Sequence, residues 1–87
     1  MSEPKSTKKL YIVGEQVAAA RGLLKMSQAE LIEATGVSKA TIIRFEAGGS
    51  VRPETMEAVR EVLEARGIVF TNGGEPGVKL RKKEAAD

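Results

Sequence analysis

The side chains that most often do chemistry are missing from this sequence. Its 87 residues include no histidine and no cysteine. That removes the commonest general base, the thiol nucleophile, thiolate metal sites and any disulfide. Ser27, Ser38 and Ser50 have no imidazole to activate them, and Tyr11 stands alone outside any recognisable site. No glycine-rich loop has phosphate-binding spacing. The acids therefore have no partners for catalysis, and no enzyme, cofactor, metal or small-molecule ligand is expected. What remains is hydrogen bonding. Lys39, Ala40, Thr41 and Arg44 fall in one short stretch, with Ile42 and Phe45 at i, i+3 spacing among them. If that stretch is a helix with Ile42 and Phe45 inward, the other four occupy its outer surface. Lys39 and Arg44 can then donate to guanine N7 and O6, arginine with two bonds at once. Ala40 can touch a thymine methyl, and Thr41 can reach a base edge or a phosphate.

Such a surface needs elements that hold it. Ser27 is a good helix N-cap, and Glu30, three residues on, completes a capping box. Gln28–Thr35 then makes about two turns, with Leu31 and Thr35 on one face and Ile32 beside them. Gly36 ends that helix, where a left-handed backbone favours glycine. Val37 fills the corner and Ser38 caps the next helix. A helix, a glycine turn and a second capped helix give the outline of a helix-turn-helix.

Residues Ser27-Gln28-x-Glu30-Leu31, Gly36-Val37-Ser38, Thr41-Ile42 and Phe45-Glu46-x-Gly48 resemble the lambda-repressor-like (Cro/XRE-type) helix-turn-helix family, as does Arg21 upstream. The resemblance covers roughly Gly14–Arg66. It implies a mostly α fold: a bundle of four to five helices, here followed by a C-terminal β-hairpin. It also implies sequence-specific binding of double-stranded DNA. Lys39, Ala40 and Arg44 match base-reading positions. Gln28 matches a position that touches the DNA backbone and sometimes a base. Arg52 follows the turn, where the family often puts a basic residue to touch phosphate or the minor groove. Ser38 is expected at the DNA backbone. Arg21 and Glu46 match a structural pair that joins the first and third helices and fixes the angle of the reading helix. Two positions depart. Ile32 stands where the family usually has a small residue, so the two helices are expected slightly further apart. Ala47 stands where a polar residue often reaches phosphate, so that contact is expected to be missing. Ile43 is expected to pack partly exposed.

The flanks divide the chain. Residues 1–9 are polar and read as a disordered basic tail, and residues 83–87 as a frayed one. The DNA-binding domain is expected over residues 10–67. Leu10–Val13 is a short apolar run, either extended against the core or stapling the first helix. Gly14–Lys25 reads as that helix, with Val17, Ala20 and Leu24 on one face and Gly22 as a mild weakness. Met26 is expected in the core. Pro53–Arg66 reads as an amphipathic helix with Met56, Val59 and Leu63 inward, Val62 flanking, and Glu54, Glu57, Glu61 and Glu64 sharing a face. Gly67 ends it. Residues 68–82 read as a hairpin, Ile68–Thr71 and Val78–Lys82 around the turn residues Asn72–Gly77.

Net charge is only +2, but Lys39, Arg44 and Arg52 cluster around the reading helix while the glutamates lie on the last one. That asymmetry fits a DNA side and a solvent side. No run of about 18 apolar residues and no signal-peptide core occurs, so a cytoplasmic protein with no membrane segment is expected. One reading helix covers few base pairs, which implies a homodimeric repressor on an inverted repeat. With no room for a ligand-sensing domain, it is expected to act by occupancy. The dimer interface is expected on the hairpin, at Ile68, Val69, Phe70, Thr71, Val78 and Leu80, because these strands owe nothing to the helical core. The alternative is a protein-binding module, an antitoxin or anti-activator built on the same fold.

Overall fold

Capping residues and glycines divide the chain into its elements. In the computed structural model, residues 11–72 and 75–81 are described. They form α1 (Gly14–Leu24), α2 (Gln28–Thr35), α3 (Lys39–Glu46), α4 (Pro53–Ala65), β1 (Ile68–Thr71) and β2 (Gly77–Leu80). The tails, Leu10, Gly73, Gly74 and Lys82 lie outside the described residues, and so do the expectations made for them.

Ser27 Oγ accepts from the Glu30 N–H at 3.0 Å, and the Glu30 carboxylate accepts from the Ser27 N–H at 2.8 Å. The capping box thus satisfies two free donors at the start of α2. Gly36 stops α2 at φ 74°, and its N–H donates to the Ile32 carbonyl. Thr35 Oγ1 accepts from the Val37 N–H at 3.1 Å, which steadies the corner between the helices. Ser38 Oγ accepts from the Thr41 N–H at 3.2 Å and starts α3. Pro53 opens α4, where its missing N–H costs nothing.

Each helix buries one stripe. Ile12, Val17, Ala20, Met26, Leu31, Ile42, Phe45, Val59 and Leu63 form one core, with Leu24, Ile32, Met56 and Val62 packed around it. Ile12, before α1, is only 2% exposed and lies against the core, while Tyr11 and Val13 on either side of it are exposed. On α4, Arg60 bridges two of the glutamates, Glu57 at 2.9 Å and Glu64 at 3.0 Å. That helix is therefore less negative than its glutamates alone suggest.

α1 approaches α3 more closely than a side chain allows. A Cβ built on Gly14 would sit 1.7 Å from the Phe45 carbonyl oxygen. Only glycine fits there, because the obstacle is backbone.

The two strands pair antiparallel, Ile68 with Leu80 and Phe70 with Val78. Here one expectation is corrected. The strands do owe something to the helical core: Ile68 is 1% and Phe70 7% exposed, both in the same core cluster as the helices. The cause is the pleat, which points alternate side chains to one face and lays that face on the bundle. Gln16 of α1, itself 3% exposed, fastens the hairpin. Its Nε2 donates to the carbonyls of Thr71 at 3.2 Å and Gly77 at 2.9 Å, while its Oε1 accepts from the Val13 N–H at 2.8 Å. A buried amide with its polar atoms satisfied is a strong constraint on where the hairpin sits.

Candidate nucleic-acid interface

α3 has two sides. Ile42 is fully buried and Phe45 3% exposed, which rolls the opposite side outward. Lys39, Ala40, Ile43, Arg44 and Ala47 are exposed there. Ile43, 44% exposed, lies within this strip, one turn from both Lys39 and Ala40. Its apolar branch can contact a thymine methyl, as Ala40 can. The i, i+3 spacing of Ile42 and Phe45 leaves Ile43 expected only as a partly exposed packing residue, not as part of the outward strip. Ala47 has no polar side-chain atom to offer a phosphate.

Arg44 is set by its neighbour in the turn after α3. The Gly49 N–H donates to the Arg44 carbonyl at 2.8 Å. A Cβ on Gly49 would lie 2.6 Å from Arg44 Cγ, so the arginine stem runs over the bare glycine. This close approach favours glycine at position 49.

The polar residues around the strip are partly committed to the protein. Thr41 is half-buried, and its Oγ1 accepts from Ser38 Oγ at 2.9 Å. The Ser38 hydroxyl hydrogen is thus engaged. Arg52, at the start of α4, is loosely placed: its side chain is 80% exposed, 4.0 Å from the Glu54 carboxylate. No acid lies in the first turn of α3, so the positive end of its helix dipole is unopposed beside Lys39.

Behind the strip sits the group that holds its angle. Arg21 Nε donates to Glu46 Oε2 at 2.8 Å, and Arg21 Nη2 to Glu46 Oε1 at 2.9 Å. This is a two-pronged pair between α1 and α3. Arg21 Nη1 also donates to the Met26 carbonyl at 3.0 Å, and Gln28 Nε2 to Glu46 Oε1 at 3.0 Å. Gln28 therefore joins α2 to the same carboxylate, a role its residue type did not reveal. Burial pushes the Glu46 carboxyl up, but the hydrogen bonds from Arg21 and Gln28 and the charge of Arg21 outweigh it and hold its pKa below the ordinary carboxylate value. The hydrogen bond to Glu46 raises the Arg21 pKa against its desolvation. Both groups stay charged at neutral pH, and the three helices of the motif meet at one carboxylate.

Among the described residues, no group of three or more acidic side chains is placed to hold a metal ion. No helix among the described residues is long and apolar enough to cross a membrane.

No curated protein matches the chain. A helix-turn-helix family model matches residues 17–67, from α1 through the end of α4, and leaves the hairpin outside. That match spans more than half of the sequence and contains the capped α2–turn–α3 unit and its exposed strip. The chain belongs to the Cro/C1-type (XRE) helix-turn-helix family of DNA-binding regulators.

Proposed function

We propose that the protein is a sequence-specific transcriptional repressor in the cytoplasm, binding an inverted-repeat operator as a homodimer. The observation that carries this reading is the outward strip of α3. Lys39 and Arg44 flank the small and apolar contacts Ala40 and Ile43. That set can read a mixed sequence: guanine through the basic groups and thymine methyls through the apolar ones. α3 would lie in the major groove, its angle held by the Arg21–Glu46–Gln28 group. Arg52 and the free face of Gln28 would meet the flanking phosphates. Repression follows from occupancy, since a protein seated on a promoter excludes polymerase from it.

On the α3 strip, exposed Ile43 is a feature that a protein-binding face shares. The two readings differ in their response to salt, because only phosphate neutralisation releases condensed counterions. The direct experiment is selection of bound sequences from a pool of random duplexes, followed by footprinting of the winner. The expected result is an inverted repeat whose half-sites lie about 34–36 Å apart, one turn of DNA. Failure to enrich any sequence, with binding to mixed DNA equally absent at low salt, would remove this function.

A further inference from the structure

The outward side of α3 can be sorted by what its side chains offer. Ala40, Ile43 and Ala47 follow one another at i, i+3 and i+7, so they form one apolar ridge along the helix, and all three are exposed. Lys39 lies on the Ile43 flank of that ridge and Arg44 on the Ala40 flank. Lysine and arginine donate hydrogen bonds and accept none. Among the described residues, no acid lies within ion-pair distance of either one. These five residues thus hold donors and an apolar ridge, but no acceptor. Glu46, the acid of α3, is committed to Arg21 and Gln28 behind the strip.

That inventory limits what the strip can read. In the major groove, cytosine N4 and adenine N6 carry donors, and these need an acceptor that the strip lacks. Guanine offers the acceptors N7 and O6, which suit Lys39 and Arg44. On a pyrimidine edge, the group that an apolar side chain can gain from is a methyl on C5. Ile43 has the longest side chain of the ridge and is 44% exposed. It carries no polar atom, so it cannot tell the O4 acceptor of thymine from the N4 donor of cytosine.

We propose that Ile43 reads the C5 methyl group of a pyrimidine, whichever base carries it, beside guanines held by Lys39 and Arg44. The ligand is then thymine or 5-methylcytosine, and methylation of a cytosine at that position turns a poor site into a good one. This rests on the reading of α3 as the helix in the major groove, and it names the chemical group that decides one position there. A pair of 5-methylcytosine with guanine offers the methyl and two acceptors together. A pair of thymine with adenine offers the same methyl, but its adenine N6 donor finds no acceptor on the strip.

The test is selection from two random duplex pools. One carries thymine and cytosine. The other carries uracil in place of thymine and 5-methylcytosine in place of cytosine. The methyl thus moves from one pyrimidine to the other, and the hydrogen-bonding groups stay as they were. The expected result is a swap at one position of the half-site, thymine in the first pool and 5-methylcytosine in the second, with the guanine positions unchanged. On single duplexes, uracil for that thymine should weaken binding about fourfold, the worth of one buried methyl. There, 5-methylcytosine should bind about fourfold tighter than cytosine. Ile43→Ala should bring both ratios towards one, with circular dichroism verifying the fold. A second pool that keeps uracil where thymine stood overturns the proposal, because O4 would then be the group read. An Ile43→Ala protein with the parent's methyl preference overturns it too, since another residue would then hold the role. Enrichment of no sequence from either pool overturns the DNA-binding function instead. Clear enrichment without methyl preference overturns this proposal and leaves the function standing.

Discussion

Glu46 joins three helices behind the exposed strip of α3. Its carboxylate takes hydrogen bonds from Arg21 on α1 and Gln28 on α2 while belonging to α3. Glu46→Ala leaves the Arg21 guanidinium, one-fifth exposed, without its partner. Breaking fully buried pairs costs 3–5 kcal/mol, so about 2 kcal/mol is expected for this partly exposed one. The double variant with Arg21→Ala should cost less than the sum of the singles, measured as a urea-unfolding cycle. The same carboxylate sets an acid limit. Its pKa is lowered on folding, so its contribution is complete above the unfolded value of about 4.3 and is lost as pH falls through the lower folded value. The urea midpoint should drop on this limb, and Glu46→Gln should flatten it. On the DNA side, Arg44→Ala should cost about 1–3 kcal/mol on the best site and relax discrimination there, while Arg52→Ala should flatten the salt slope by about 1 unit if it meets phosphate. An equal loss on specific and scrambled DNA would make Arg44 a phosphate contact alone. The positions of these residues were legible from capping and spacing. The commitment of Gln28 to Glu46 was not, because a glutamine at a helix start carries no mark of which neighbour it will meet.

The elements are joined through backbone as much as through side chains. Helix limits were readable because their signals are local: Ser27 with Glu30, Gly36, Ser38 and Pro53 each act within one turn. Contacts between elements leave no such mark. Gly14 reads in the sequence as an ordinary helix start, yet its missing Cβ is what lets α1 meet the Phe45 carbonyl of α3. Gly14→Ala should therefore cost about 3 kcal/mol, at the upper end for overpacking, since backbone cannot step aside as a side chain can. Gly22→Ala is the control: nothing lies within 4 Å of that added Cβ, and the helix should gain about 1 kcal/mol. Thermal unfolding of the two variants should move in opposite directions. Equal and small shifts would mean that α1 and α3 are not in close contact. Gln16 was hidden for the same reason as Gln28, since all its long-range partners are backbone carbonyls of a distant hairpin.

At the scale of the whole molecule, the hairpin belongs to the fold whatever else it does. The alternating strand pattern predicted its existence but not the owner of its apolar face, because periodicity says which side chains share a face and nothing about what covers it. Here the chain's own helices cover it, through Ile68 and Phe70. An 87-residue chain buries a modest core, and its net stability is only about 5–15 kcal/mol. Phe70→Ala alone should cost about 3–5 kcal/mol, from lost burial and the cavity left behind. Truncation after Gly67 removes Phe70, Ile68 and the Gln16 acceptors together, so it should consume most of that margin. The truncated chain is expected to unfold at a much lower temperature and with less cooperativity than the parent, and to lose half-site DNA binding along with its structure. Calorimetry on both chains, with half-site binding measured below the lower transition, makes the distinction. If the truncated chain melts as sharply and as high as the parent, the hairpin is an appendage, and its apolar face is free for a partner. If it melts early but binds a half-site normally in the cold, the hairpin stabilises a reading surface that the helices alone can still form.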